Sequence, residues 1–145
     1  MTNSTWQKQL SLFEENRDRI LKMDAFEPMP NAKWCRESPH HTLGHIVSCQ
    51  AAWMPLMVQL HAGETTGSIS INPDPLFTKL QLATTPWEEL VNRLVSERME
   101  WRKILEDIDV EQEIKTTKRI WTAQLLTRRL VKHEKRHLDD LQDTE

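Results

Sequence analysis

The sequence predicts an all-α four-helix bundle on three observations. Four long segments carry apolar residues at the 3.6-residue period of an amphipathic helix, and no segment alternates convincingly enough to be a strand. Glycine is scarce: only three occur, and two of them fall in the stretch Gly63 to Thr84 that separates the second helical pattern from the third. At 145 residues the chain is long enough to bury a real core, and it reads as a single domain over 1–145 without repeats or low-complexity tracts.

The first helix is expected from about Ser4 to Ala25, with Trp6, Leu10, Phe13, Ile20 and Leu21 on its inner edge. The second opens at Ser38-Pro39, an N-cap followed by proline at the first helical position, and runs to about Ala62 with a kink expected at Pro55. Its stripe includes Thr42, Cys49, Trp53, Leu56 and Leu60. The third starts at Thr85-Pro86-Trp87-Glu88, which combines an N-cap, an N1 proline and a capping-box glutamate; Leu90, Leu94, Trp101 and Leu105 carry it to about Asp109. The fourth opens near Thr122 and ends in the acidic tail Asp139 to Glu145.

Composition sets outer bounds. Lys plus Arg is 19 and Asp plus Glu is 22, a net charge of −3 that calls for no nucleic acid, although the last helix is locally basic. A solvated outer face accounts for Arg128, Arg129, Lys132, Lys135 and Arg136. The apolar run Ala51 to Val58 holds Pro55 and falls far short of a membrane span. The first twenty residues are too polar for a signal peptide, so a cytoplasmic setting with Cys35 and Cys49 as reduced thiols is expected.

The chemistry concentrates near the end of the chain, where His133-Glu134-Lys135-Arg136-His137 reads H-E-x-x-H in a helical segment. Two histidines four apart project from one helix face, and Leu126, Leu130, His133, His137 and Leu141 follow the period of a buried edge. Core-facing imidazoles are costly without partners, and a divalent cation satisfies both; the competing reading is a chance pair in a basic helix. A zincin-type protease with Glu134 as general base fits poorly, because such enzymes often take a third ligand downstream and none of the eight residues after His137 is histidine.

An upstream third ligand has to come from the second helix. His45 sits at the edge of that helix's stripe with Cys49 one turn on, and His41 has a similar azimuth nearer the fraying end. His61 is about 24 Å beyond His45 along a helix and reads as a surface residue. If His45 is the third ligand, the start of the second helix must meet the end of the fourth. The connection from the second helix to the third, Gly63 to Thr84, is 22 residues and reaches up to about 70 Å, enough to cross a bundle roughly 30 Å tall. Connection length and histidine positions therefore agree on up-down-down-up topology.

The segment Thr42-Leu43-Gly44-His45-Ile46-Val47, followed by Ala51, Ala52 and Trp53, resembles the second-helix motif of the DinB-like superfamily, which also includes the YfiT-type hydrolases. The paired-histidine helix His133 to Leu138, followed by Gln142, resembles its C-terminal counterpart. The likeness covers essentially the whole chain in length, helix order and crossover. It implies metal ligation by His45, His133 and His137, and an activity among metal-dependent thiol transferases that use bacillithiol or mycothiol, or hydrolases. One departure stands out: Leu138-Asp139-Asp140 replaces the Gly-Gln turn that follows the last histidine in many members, which affects the pocket rim.

Three neutral imidazoles leave a coordination position open, as in catalytic zinc sites. Zinc or nickel suits imidazole best, with iron as a further choice. The expected function is a metal-dependent enzyme on a small molecule, with a thiol S-transferase using a low-molecular-weight thiol first and a metal-dependent hydrolase second. A non-catalytic metal-binding or stress-associated scaffold is the rival from another class, and a homodimer is compatible with the chain. Glu134 lies about 100° around the helix from His133, so a solvent-exposed or supporting role is expected ahead of base catalysis. Cys49 reads as a small buried hydrophobe with metal ligation as the alternative, and His41 is the substitute ligand. Trp53 marks the core and borders the expected pocket.

Overall fold

Helix starts in this chain are set by local chemistry where no tertiary partner competes. Ser38 accepts a hydrogen bond from the His41 amide at 3.3 Å and Pro39 supplies the first helical residue, the cap read from the sequence. The computed structural model describes residues 4–32, 38–67, 72–109 and 111–143. Cys35, the Trp6 and Gln142 side chains and the last two residues of the acidic tail lie outside the described residues. In chain order the elements are α1 (Ser4–Leu21), α2 (Pro39–His61), α3 (Asp74–Lys79), α4 (Trp87–Asp107), β1 (Glu113–Lys115), β2 (Ile120–Thr122) and α5 (Ala123–Asp143). The molecule is mostly helical, as an all-α fold requires. Among the described residues no helix is long and apolar enough to cross a membrane.

Four expectations need correction. The first helix ends at Leu21, not Ala25: the Met23 amide already bonds the Ile20 carbonyl three residues back, and Phe26 turns away to pack edge-on against Trp87. The Gly63 to Thr84 crossover contains the short helix α3. Residues expected to carry no strand form a two-stranded antiparallel hairpin, with buried Ile114 opposite buried Trp121. Three-residue strands are too short to express a period. Finally, α4 begins at Trp87 without a side-chain cap. The Thr85 hydroxyl instead donates to the Gln81 carbonyl at 2.9 Å, and the Thr85 carbonyl meets the buried His40 ring.

The core is divided along the bundle. One apolar cluster gathers Phe13, Trp53, Leu56, Trp101 and Leu126, with Phe13 edge-on to Trp101 at 6.2 Å. The other gathers Ile20, Leu43, Leu90, Leu94 and Leu138. Between them each long helix contributes a buried polar residue: Asn16 from α1, Gln50 from α2, Arg98 from α4 and Glu134 from α5. Asn16 donates to the Val131 carbonyl at 3.4 Å, and Gln50 to the Leu94 carbonyl at 3.2 Å. Arg98 donates to the Phe13 carbonyl at 3.2 Å, to Gln50 Oε1 at 3.1 Å and to Glu134.

Interhelical contacts have a clear order. Between α2 and α4 they climb together, His40 with Thr85, Gln50 with Leu94 and Arg98, then His61 with Asp107. Between α4 and α5 they run oppositely, Arg98 with Glu134 and then Trp101 with Thr127. The crossover docks on α2 through Phe77 and is stitched to the hairpin, where the Lys115 amide donates to the Thr65 carbonyl at 2.9 Å and the Gly67 amide to the Lys115 carbonyl at 2.8 Å.

Candidate metal centre

Histidines four apart on a helix lie one above the other, and α5 presents His133 and His137 with their Nε2 atoms 3.1 Å apart and ring centroids 4.4 Å apart. His45, in the second turn of α2, brings its ring to 5.2 Å from His133 and 4.8 Å from His137, centroid to centroid. Cys49, one turn further along α2, places Sγ 3.5 Å from His45 Nε2. The donor atoms of His45, Cys49 and His133 all lie within 4.8 Å of one another, a group able to hold a metal ion. His137 joins it through its ring contacts with both histidines.

The donor set fits a borderline or soft divalent ion, for which imidazole and thiolate are the natural ligands. Ionisation agrees. Burial, with the neighbouring His137 adding charge repulsion, lowers the His45 and His133 pKa values to about 4. Both rings are therefore neutral near pH 7, the form in which imidazole donates a lone pair.

Glu134 follows His133 directly and goes elsewhere. The 100° step between consecutive helical residues turns it toward α4, where it is 1% exposed and ion-paired with Arg98. The expected solvent-exposed position is thus corrected, and the H-E-x-x-H glutamate is spent in the core. Burial raises its pKa, and the Arg98 charge and hydrogen bond oppose the rise. The Arg98 guanidinium also sits 4.5 Å above the Phe13 ring.

His45 and His133 open onto a cavity of about 640 Å³. His45, Cys49, Trp53 and His133 form its floor. One wall comes from the crossover, Gly67 and residues 72–74, and the other from the hairpin turn 116–119 with Trp121. The turn residues Thr117, Lys118 and Arg119 are exposed while Cys49 is buried, so the cavity runs from solvent to the donors. Trp53 walls the cavity with its ring 6.3 Å from that of His133. Asp74, on α3, lines it as well, and its charge opposes the lowering of the His45 pKa.

The remaining histidines are placed otherwise. His41 packs its ring 4.6 Å from that of Phe77, and exposed His61 pairs with Asp107 at 2.8 Å. Asp74, Arg119 and Trp121 were not singled out from the sequence. The short Ile-Trp-Thr segment and the Thr-Thr-Lys-Arg turn, which has no glycine, gave no usable signal.

Comparison with family models matches residues 12–141 to the DinB superfamily. Comparison with curated proteins and with solved structures gave no match.

Proposed function

Because this chain belongs to the DinB superfamily, we propose that it is a metal-dependent enzyme acting on a small molecule, with S-transfer from a low-molecular-weight thiol as its reaction. The observation that carries this reading is the convergence of three imidazoles, two of which, His45 and His133, lie on the floor of a cavity that reaches solvent. A solvent-connected cavity over the donors favours an enzyme over a non-catalytic scaffold, for which a capped site is expected. The up-down-down-up arrangement of α1, α2, α4 and α5 belongs to the same reading, and the contacts that climb together from α2 to α4 and oppositely from α4 to α5 support it.

His45, His133 and His137 would hold the ion, with Cys49 within reach as a further donor. A divalent ion bound there would supply Lewis acidity, lowering the pKa of a thiol or of water to near neutrality. In the transfer the thiol gives up its proton, its sulfur bonds the electrophilic carbon, and the leaving group departs with its bonding pair. Trp53 and Trp121 give the cavity apolar surface on which the substrate is oriented.

Burial of Glu134 favours the thiol reading over hydrolysis, because the motif's own carboxylate is held by Arg98 and does not line the cavity. Hydrolysis is the second reading, and Asp74 is the observation in its favour: it is a carboxylate in the cavity close enough to influence His45. The test is metal analysis of unsupplemented protein, then turnover of an alkylating electrophile with and without added thiol. Product should form only with both the ion and the thiol. Metal-dependent hydrolysis without thiol, reduced roughly 10² to 10⁴-fold by Asp74→Asn, would replace S-transfer with the second reading.

A further inference from the structure

Beside the histidine cavity lies a second concavity of about 390 Å³ whose lining is cationic. Successive turns of α5 supply Arg128, Arg129, Lys132 and Arg136, and the hairpin borders it with Arg119 of the turn and Trp121 of β2. Arg119, Trp121, Arg129 and His133 line both concavities, so the two adjoin along these residues. Arg129 and Arg136 lie close enough to His133 for their charges to depress its proton affinity.

Elsewhere on α5 the chain neutralises cations with its own carboxylate: Lys135 pairs with Asp139 at 2.8 Å, and Arg19 of α1 reaches the same carboxylate at 3.0 Å. Among the described residues, no carboxylate pairs with any of the five groove cations. Two of the guanidinium groups are held by stacking instead. Arg119 lies 4.4 Å and Arg129 5.7 Å from the Trp121 ring centroid, within cation–π range, a contact that uses no carboxylate. In a chain of net charge −3, four cations on successive turns of α5 with Arg119 beside them are a local concentration of positive charge.

We propose that this groove binds an anionic group, a carboxylate or phosphate, carried by the small molecule whose reacting end reaches His133. The inference rests on the small-molecule reading above and names the charge class of the substrate or co-substrate. Planar forks of N–H donors match either oxyanion in a bidentate way. The size of the groove suits one small ligand.

Calorimetric titration of metal-free protein with succinate and with glycerol 3-phosphate tests this, with succinamide and glycerol as neutral counterparts. At least one dianion should bind and neither neutral compound should; the tighter arm separates carboxylate from phosphate recognition. Combining Arg129→Gln with Arg136→Gln should weaken binding by roughly tenfold or more, since a hydrogen bond to a charged group is typically worth that much. Arg136→Gln alone should move it the same way. Lys135→Gln removes an equal charge outside the groove and should leave affinity unchanged. Absence of binding by both dianions, or equal weakening by Lys135→Gln, overturns the proposal. So does tighter binding of a short DNA duplex that depends on the same arginines, which would make the stripe a polyanion surface. Uptake of zinc, nickel and ferrous ion by the same samples is read separately: dianion binding without uptake of any of them removes the metal-enzyme reading and leaves the anion groove standing, and the reverse result removes the groove alone.

Discussion

Two groups of polar side chains sit within one turn of α5, around Glu134 and around His133 and His137, and they are completed in different ways. Around Glu134 the chain supplies its own opposite charge: Arg98 reaches the carboxylate, Gln50 and the Phe13 carbonyl, tying α1, α2, α4 and α5 at one level. Around His133 it supplies like with like, imidazole against imidazole with a thiol beside them, on the floor of a cavity. A buried ion pair held by internal partners specifies how helices meet, even where Glu134 Oε1 and Arg98 Nε find no hydrogen bond among the described residues, whereas a convergence of lone pairs beside a cavity offers itself to a ligand. One residue step along the helix separates the two.

The largest effect should come from opening the internal group. Glu134→Ala leaves the Arg98 guanidinium buried without its counter-charge, which costs about 3 to 5 kcal/mol when one partner of such a pair is removed. For a chain of this size the thermal midpoint should fall by roughly 10 to 20 °C, read by the helical circular dichroism signal. A drop of under about 3 °C would mean that Arg98 reaches water on its own, and the contrast with the histidines would weaken.

A smaller structural effect and a larger functional one are expected from His133→Ala. Metal affinity should fall by about a hundredfold or more while the cooperative helical melt persists, because both apolar clusters remain. The pH dependence sharpens this. In the folded, metal-free protein the His133 pKa is about 4, below its ordinary value of 6.5, so the unfolded chain takes up protons first. Stability is then lost as pH falls from about 6.5 to about 4, and His133→Ala should flatten that slope. An unchanged slope would show that the rings are not desolvated.

The smallest effect concerns Glu97, beside the internal layer. Burial pushes its pKa up to about 7, against the hydrogen bond from Gln50 and the charges of Arg93 and Arg98. A carboxyl raised in the folded state holds its proton more tightly than the unfolded chain does. It therefore costs stability as pH rises from about 4.5 to about 7. Glu97→Gln should gain about 1 to 2 kcal/mol at pH 8, after allowance for partial exposure, and the gain should shrink toward pH 4.5 in paired denaturant melts. An equal gain at both pH values would assign the effect to helix propensity.

Legibility in the sequence followed the length of the signal. The four long helices rest on patterns that repeat over several turns and the Ser38-Pro39 start on a cap in consecutive residues, so local chemistry predicts them, whereas bringing His45 to His133 and His137 needed the crossover length and the family resemblance besides. The hairpin, α3 and the absent cap at Thr85 depend on partners far along the chain, the Thr65 carbonyl, Gly44 and His40 respectively. Glu134 shows the limit most clearly. Its azimuth could be read, but whether that direction meant water or core depended on Arg98, which sequence spacing does not place. The cavity walls come from those same long-range elements, so the floor of the site was readable and its shape was not.

Gly44, next to His45, has a hydrogen where any other residue would have a carbon, and a Cβ there would stand 3.0 Å from the Phe77 ring edge. The distance from the crossover to α2 is therefore gauged by a single missing methyl group. Phe77 belongs to the helix that carries Asp74 into the cavity, so the gauge also sets where that carboxylate stands. Adding the methyl group would oblige the ring, which also packs against His41, to give by a few tenths of an ångström. Under the proposed function, breadth of substrate acceptance would be set by the crossover and identity of the donors by α2 and α5, two separate parts of the chain.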